Sequence, residues 1–360
     1  MRAAPGQVVA GRYRVTDRPV GGGLPALDTA SGAPVLLHAL DLPELLIPGQ
    51  VYGGDDPRTG GRLADLATAL AAAAPRHPRL LAQTGAVADG DLLWVAEERL
   101  GGAPLDVLAG AGPVPAYRVA EIAADLAGAL RALHEAGLTH GNVTAASVLV
   151  CEDGAAQLGG LLLGAAQEAL CAELGGPVPR RVYEARADLL GARAERWPAD
   201  AGPAADCWAL GVLLHRLLAG HGPYPEDDLP TLLAAVRDGR RYPSDGCGPL
   251  RGLVDDLLDA RPGARPTAQD VQQRLRGLLA GAPEPYGLRD APPLLPVVRP
   301  AGPVVPHPRA RRPGADAGRE RLPVPRRPPR VPPSLLGPLL VGGVLLALLA
   351  GLAAVVLVAG

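Results

Sequence analysis

Polar and apolar positions divide the chain into three regimes. From residue 12 to about 98 the apolar runs are short. "GRYRV", "PVLLHAL" and "LLWVAEE" have the length and residue types of strands. Between them, Arg62 to Ala74 places Leu63, Leu66 and Leu70 on one helical stripe. From about 99 to 281 the period becomes helical. Ala116 to Ala136 sets Val119, Ile122, Leu126, Leu130 and Leu133 on one face, with Gly137 as the stop. Asp206 to Ala219 is a mostly apolar helix closed by Gly220, and Thr267 with Asp270 forms a capping-box pattern before Val271, Leu275 and Leu278. A strand-rich part followed by a helical part predicts an α+β domain over 12–281, after a short tail at 1–11.

The third regime changes the expected topology. Ser334 to Gly360 carries no charge and exceeds the roughly 20 apolar residues needed to cross a bilayer. Before it, 282–333 is a Pro/Arg-rich linker that favours extended conformations over a packed core. Between His307 and Arg330 stand eight Arg against two acids, Asp316 and Glu320. Such a basic flank stays cytoplasmic and holds anionic lipid. The expectation is a single-pass protein of the cell inner membrane, with the folded domain cytoplasmic and the C-terminus outside. The N-terminus has no apolar signal region.

Composition narrows the chemistry. No Lys occurs, so no step can use a lysine amine. The formal net charge is −2, which speaks against nucleic acid as a partner. Cys151, Cys171, Cys207 and Cys247 are scattered, which predicts free thiols rather than a disulfide framework or zinc site. The seven His are dispersed, and no pair has metal-binding spacing.

Four stretches in order carry a resemblance: "RHPRLL", "LHEAGLTHGNVTAASVLV", "ADCWALGVLLHRLLAGHGPYP" and "ARPTAQDVQQRL". The unit resembles a bacterial serine/threonine protein kinase domain over nearly its whole length. That implies a bilobal fold, with a small N-lobe at about 12–98 and a helical C-lobe at about 99–281. The resemblance also assigns a job to each position. Where the family has its catalytic H-R-D-x-K-x-x-N loop, this chain has His140, Gly141, Asn142, Val143, Thr144, Ala145, Ala146 and Ser147. The base position holds Asn142, an amide that does not take up a proton. Thr144 replaces the loop lysine, and Ser147 replaces the metal-binding asparagine. Gly160-Leu161-Leu162 stands where D-F-G should, so the main Mg²⁺ ligand is missing.

The nucleotide-binding positions are altered too. "VGGGLPAL" has Gly21 and Gly23 of the glycine loop, but Ala26 replaces the third glycine and Pro25 lacks an N–H. His38 takes the place of the lysine that grips phosphates, Leu36 that of the alanine beside adenine, and Glu97 completes the vestigial ATP pocket. The helix acid that should pair with the lysine is replaced by Thr68, with Asp65 a turn earlier. Residues with structural jobs persist. His140 packs in the core, Asp206 accepts hydrogen bonds from the loop backbone, and Glu195 of "AERW" pairs with Arg265, as the resemblance implies. Retained scaffold with lost chemistry predicts a pseudokinase that needs neither ATP nor Mg²⁺. It would work as a membrane-anchored signalling scaffold for protein partners. Two alternatives stand beside it: an atypical active kinase drawing on Glu152, Asp153, Asp41 or Glu44, and a nucleotide sensor that binds without metal.

Overall fold

The computed structural model describes residues 3–19, 23–42, 46–47, 50–51, 57–110, 112–198 and 202–282. The linker from 283 onward, the expected membrane span at 334–360, and Gly21 and Glu44 lie outside them. Among the described residues no helix is long and apolar enough to cross a membrane.

The alternating N-terminal runs become an antiparallel sheet. Its strands are β1 (Val8–Val9), β2 (Tyr13–Val15), β3 (Leu24–Asp28), β4 (Pro34–Asp41), β7 (Gln83–Asp89) and β8 (Leu92–Glu98), in the order β1-β2-β3-β4-β8-β7. A small pair, β5 (Leu46–Ile47) and β6 (Gln50–Val51), precedes α1 (Pro57–Ala73). The three strands expected from sequence are β2, β4 and β8. The second half of the glycine-rich run is itself a strand, β3, because Leu24 to Asp28 pair with both neighbours. The stripe on α1 is corrected. Leu63 and Ala67 are buried, whereas Leu66 is 44% exposed. The helix turns its small residues inward because it packs closely on β7 and on a later helix.

The helical lobe follows the sequence periodicity. A strand, β9 (Ala103–Pro104), and a short helix, α2 (Leu105–Ala109), lead into α3 (Ala116–Glu135). The five predicted apolar positions of α3 are all buried, each worth about 1.5–3 kcal/mol relative to exposure. Its end is a Schellman motif: Leu138 N–H donates to Leu133 O and Gly137 N–H to His134 O, with Gly137 at φ 74°. β10 (Val148–Val150) pairs with β11 (Ala156–Leu158) and with β9. Then come α4 (Leu161–Gly175), α5 (Pro179–Leu190), α6 (Pro203–Ala219), α7 (Leu229–Arg237), α8 (Arg251–Leu257) and α9 (Ala268–Ala280). The α9 capping box forms as the Thr267/Asp270 pattern predicts.

One core lies under the outer face of the sheet and a second fills the helical lobe. A third joins them. It packs Leu40, Leu93 and Val95 of the sheet with Leu63 and Ala67 of α1 and Leu162, Ala166 and Leu170 of α4. Cys171, Cys207 and Cys247 are buried, Cys151 is half-buried, and all four are free thiols.

Candidate active site

The segment after α3 is held from below by one carboxylate. Asp206, in the first turn of α6, accepts from the backbone N–H of His140 and of Gly141, both at 2.8 Å, and from His134 Nε2 at 2.9 Å. A helix N-terminus favours a negative charge there. His140 is fully buried. Its Nδ1 accepts from Asn142 N–H (3.2 Å), so Nε2 carries the hydrogen donated to Gly159 O (3.0 Å). Burial lowers its pKa and keeps the ring neutral.

The loop itself turns inward. Asn142 is buried; its Nδ2 donates to Gly160 O (3.4 Å) and its Oδ1 accepts from Arg196 (3.5 Å). Ser147 Oγ lies 2.6 Å from Asn142 O and 2.9 Å from Thr144 O, with its single hydrogen directed between these two carbonyls, and accepts from Thr144 N–H (3.0 Å). Thr144 Oγ1 lies 3.4 Å from the same oxygen. The hydroxyls at the two degenerate positions are thus engaged in the turn that leads into β10. Among the described residues no group of three or more His, Cys, Asp or Glu could hold a metal ion.

The sheet side of the cleft centres on Glu97. It stands near the end of β8, opposite Leu36 in register, and is 4% exposed. His38 Nε2 donates to Oε1 (3.0 Å) and Gly160 N–H donates to Oε2 (2.6 Å). Burial pushes this carboxyl up, but the bonds and charge of His38, Gly160 and Gln83 outweigh it, and its pKa lies below the ordinary value. The partner of His38 is therefore a neighbouring strand residue, while Thr68 and Asp65 on α1 are exposed. Leu36 packs against Gly23, where a Cβ would lie 2.5 Å from Leu36 Cγ.

Helix α4 closes the cleft from the third side. It begins at once after Gly160, whose φ of 77° turns the chain into it. A Cβ at Gly160 would meet Asn142 Nδ2 at 2.8 Å, and one at Gly164 would meet His140 O and Asn142 Cβ at 2.8 Å each. Glycine at both positions lets the helix lie directly on the loop. Arg196, 3% exposed, bolts the contact. Its guanidinium donates to Gly141 O and Gln167 Oε1, and to Glu168 Oε1 at 3.1 Å. Burial lowers its pKa to about 10, partly countered by Glu168, so it stays charged at neutral pH. Arg186 supports Glu168 from α5 (2.5 Å).

At the positions where the kinase resemblance expects contacts to ATP and Mg²⁺, His38 is paired with Glu97, Gly160 offers no side-chain ligand, and Ser147 Oγ is hydrogen-bonded within its own turn. Of the four acids considered as substitutes, Glu152 and Asp153 are exposed on the β10–β11 turn and Asp41 is exposed at the end of β4, while Glu44 lies outside the described residues.

The Glu195–Arg265 ion pair is replaced. Glu195 pairs with Arg216 (3.3 Å), which also holds Glu226 (2.8 Å). Arg265 donates to the carbonyls of Asp259 (2.9 Å) and Ala204 (3.0 Å) and lies over the Trp208 ring. Sequence reasoning missed Arg196, Gln167 and Glu168 altogether. The Gly160/Gly164 spacing, one helical turn apart, was the available sign of a close approach.

Comparison with known proteins agrees with this architecture. The sequence model of the protein tyrosine and serine/threonine kinase family matches residues 62–275. The chain is 27% identical over 223 residues to the serine/threonine-protein kinase PAK 4 of Mus musculus, covering 58% of this chain and 35% of that protein. It is 29% identical over 230 residues to CBL-interacting protein kinase 4 of Oryza sativa subsp. japonica, covering 58% and 49%. It is 29% identical over 183 residues to the serine/threonine-protein kinase PknL of Mycobacterium tuberculosis, covering 44% and 42%. The chain thus spans about a third to a half of the length of these relatives. With the family match running from α1 into α9, the chain belongs to the protein tyrosine and serine/threonine kinase family.

Proposed function

We propose that this is a catalytically inactive kinase-family domain that works as a binding module, anchored to the inner membrane with its folded part in the cytoplasm. The observation that carries the reading is the state of the loop amide. Asn142 stands at the base position and is tied between Gly160 and Arg196. Chemistry there would need a carboxylate to accept the substrate proton and a ligand to hold Mg²⁺. The base position offers an amide and the metal positions offer Gly160 and Ser147. Kinase-family scaffolding without turnover would leave the surface free for protein partners. The uncharged run at 334–360 and the arginines before it support membrane attachment and contact with anionic lipid.

The test uses the full chain in mild detergent. Melting temperature is followed against millimolar ATP, with and without Mg²⁺, beside a phosphotransfer assay. No shift and no transfer are expected. A ligand at 100 times its Kd would add about 2.7 kcal/mol, which is easily seen. A Mg²⁺-dependent shift with transfer would restore the enzyme reading, and a metal-independent shift would favour a sensor. The anchor is tested alongside: the full chain should need detergent, and a chain ending at Pro333 should not.

A further inference from the structure

Glu97 is a buried carboxylate in a place where an apolar side chain would cost less. Its surroundings explain why an acid is tolerated. His38 Nε2–H and the Gly160 N–H converge on its two oxygens, at 3.0 and 2.6 Å. The Gly159–Gly160 turn wraps it so closely that a Cβ at Gly159 would lie 3.0 Å from both oxygens. A ring N–H and a backbone N–H aimed at one point make an anion site. Both donors are buried or half-buried, and each would be left without an acceptor if no anion were present. In a kinase cleft the same two positions face phosphate and its metal.

We infer that the Glu97 carboxylate is a built-in ligand, filling an anion site made by His38 and Gly160 and so keeping phosphate out of the cleft. This rests on the inactive reading and supplies its cause on the sheet side. An incoming phosphate meets an occupied site and a like charge, whatever happens at Asn142.

The test is anion rescue. Glu97→Ala should leave the two donors facing a hole sized for a small anion. In the full chain, inorganic phosphate or acetate should raise the melting temperature of E97A relative to wild type at equal ionic strength. At ten times Kd the rise should be about 3–6 °C. Adding His38→Ala to E97A should abolish it. Glu97→Met, which refills the space with an apolar group, should show no anion response. A variant that folds only when phosphate or acetate is supplied counts as the same result, and Glu97→Ser is read in the same way. Three outcomes would overturn the inference: an equal anion response in wild type, persistence of the response in E97A/H38A, or failure of both E97A and E97S to respond. A Mg²⁺-dependent ATP shift in wild type would instead remove the inactive reading itself. Anion silence of both E97A and E97S beside a nucleotide-silent wild type would remove the built-in ligand alone.

Discussion

At single residues the fold spends its buried polar groups on holding the loop. His140 and Asp206 fix the backbone, and Asn142 and Ser147 turn back on it. Those arrangements set a pH dependence. His77, His140 and His215 all have lowered pKa values, chiefly through burial, so the folded chain binds fewer protons than the unfolded one below about pH 6.5. Their shared effect is stability present above that pH and lost as pH falls through it. At the other end, burial pushes Cys171, Cys207 and Cys247 up to about 11, 12 and 11. A raised thiol contributes stability that is full below its unfolded value and lost at higher pH. Urea unfolding should therefore show a plateau from about pH 6.5 to 8.5, falling on both sides. Stability that rises on going from pH 7 to pH 5.5 would contradict the burial of these histidines.

Among the elements, α4 has no counterpart in the sequence expectations, which took Gly160-Leu161-Leu162 as the segment in the place of D-F-G, and its role comes from Gly160 and Gly164. In an ordinary helix interior, Gly→Ala stabilises by about 1 kcal/mol. At Gly164 the sign should reverse, because the new Cβ would meet backbone oxygen of His140 at 2.8 Å. Gly164→Ala should cost about 1–3 kcal/mol, as overpacking does, and speed amide exchange along α4. A stabilised G164A would mean that the helix does not sit on the loop. By contrast α3, α6 and α9 match their sequence signals closely, since apolar period, glycine stops and the Thr267/Asp270 cap are all local.

For the whole molecule, the third core makes the two lobes one structural unit. Leu161 packs in the helical lobe while Leu162 packs under the sheet. The three tryptophans report on both sides: Trp94 lies in the sheet core, and Trp197 and Trp208 lie in the helical core. A chain retaining only Trp94 and one retaining only Trp197 and Trp208 should unfold at the same urea concentration, once the substitutions' own costs are matched. Two separated midpoints would show that α4 fails to couple the lobes.

Local order alone was enough to assign the kinase-family resemblance, which the family match bears out, and from it came the expectations of a lobe division at about residue 98 and of degenerate positions at Asn142, Thr144, Ser147, Gly160, Leu36 and His38. Hydrophobic period, caps and motif spacing act over a few residues, so they are legible along the chain. The partners of those positions were not. His38 meets Glu97 from 59 residues away, and Asn142 meets Arg196 from 54 away. Glu195 took Arg216 rather than Arg265, because an ion pair goes to whichever cation the packing brings within reach. Such pairings are decided by which helices and strands come together, and only the folded chain brings them together.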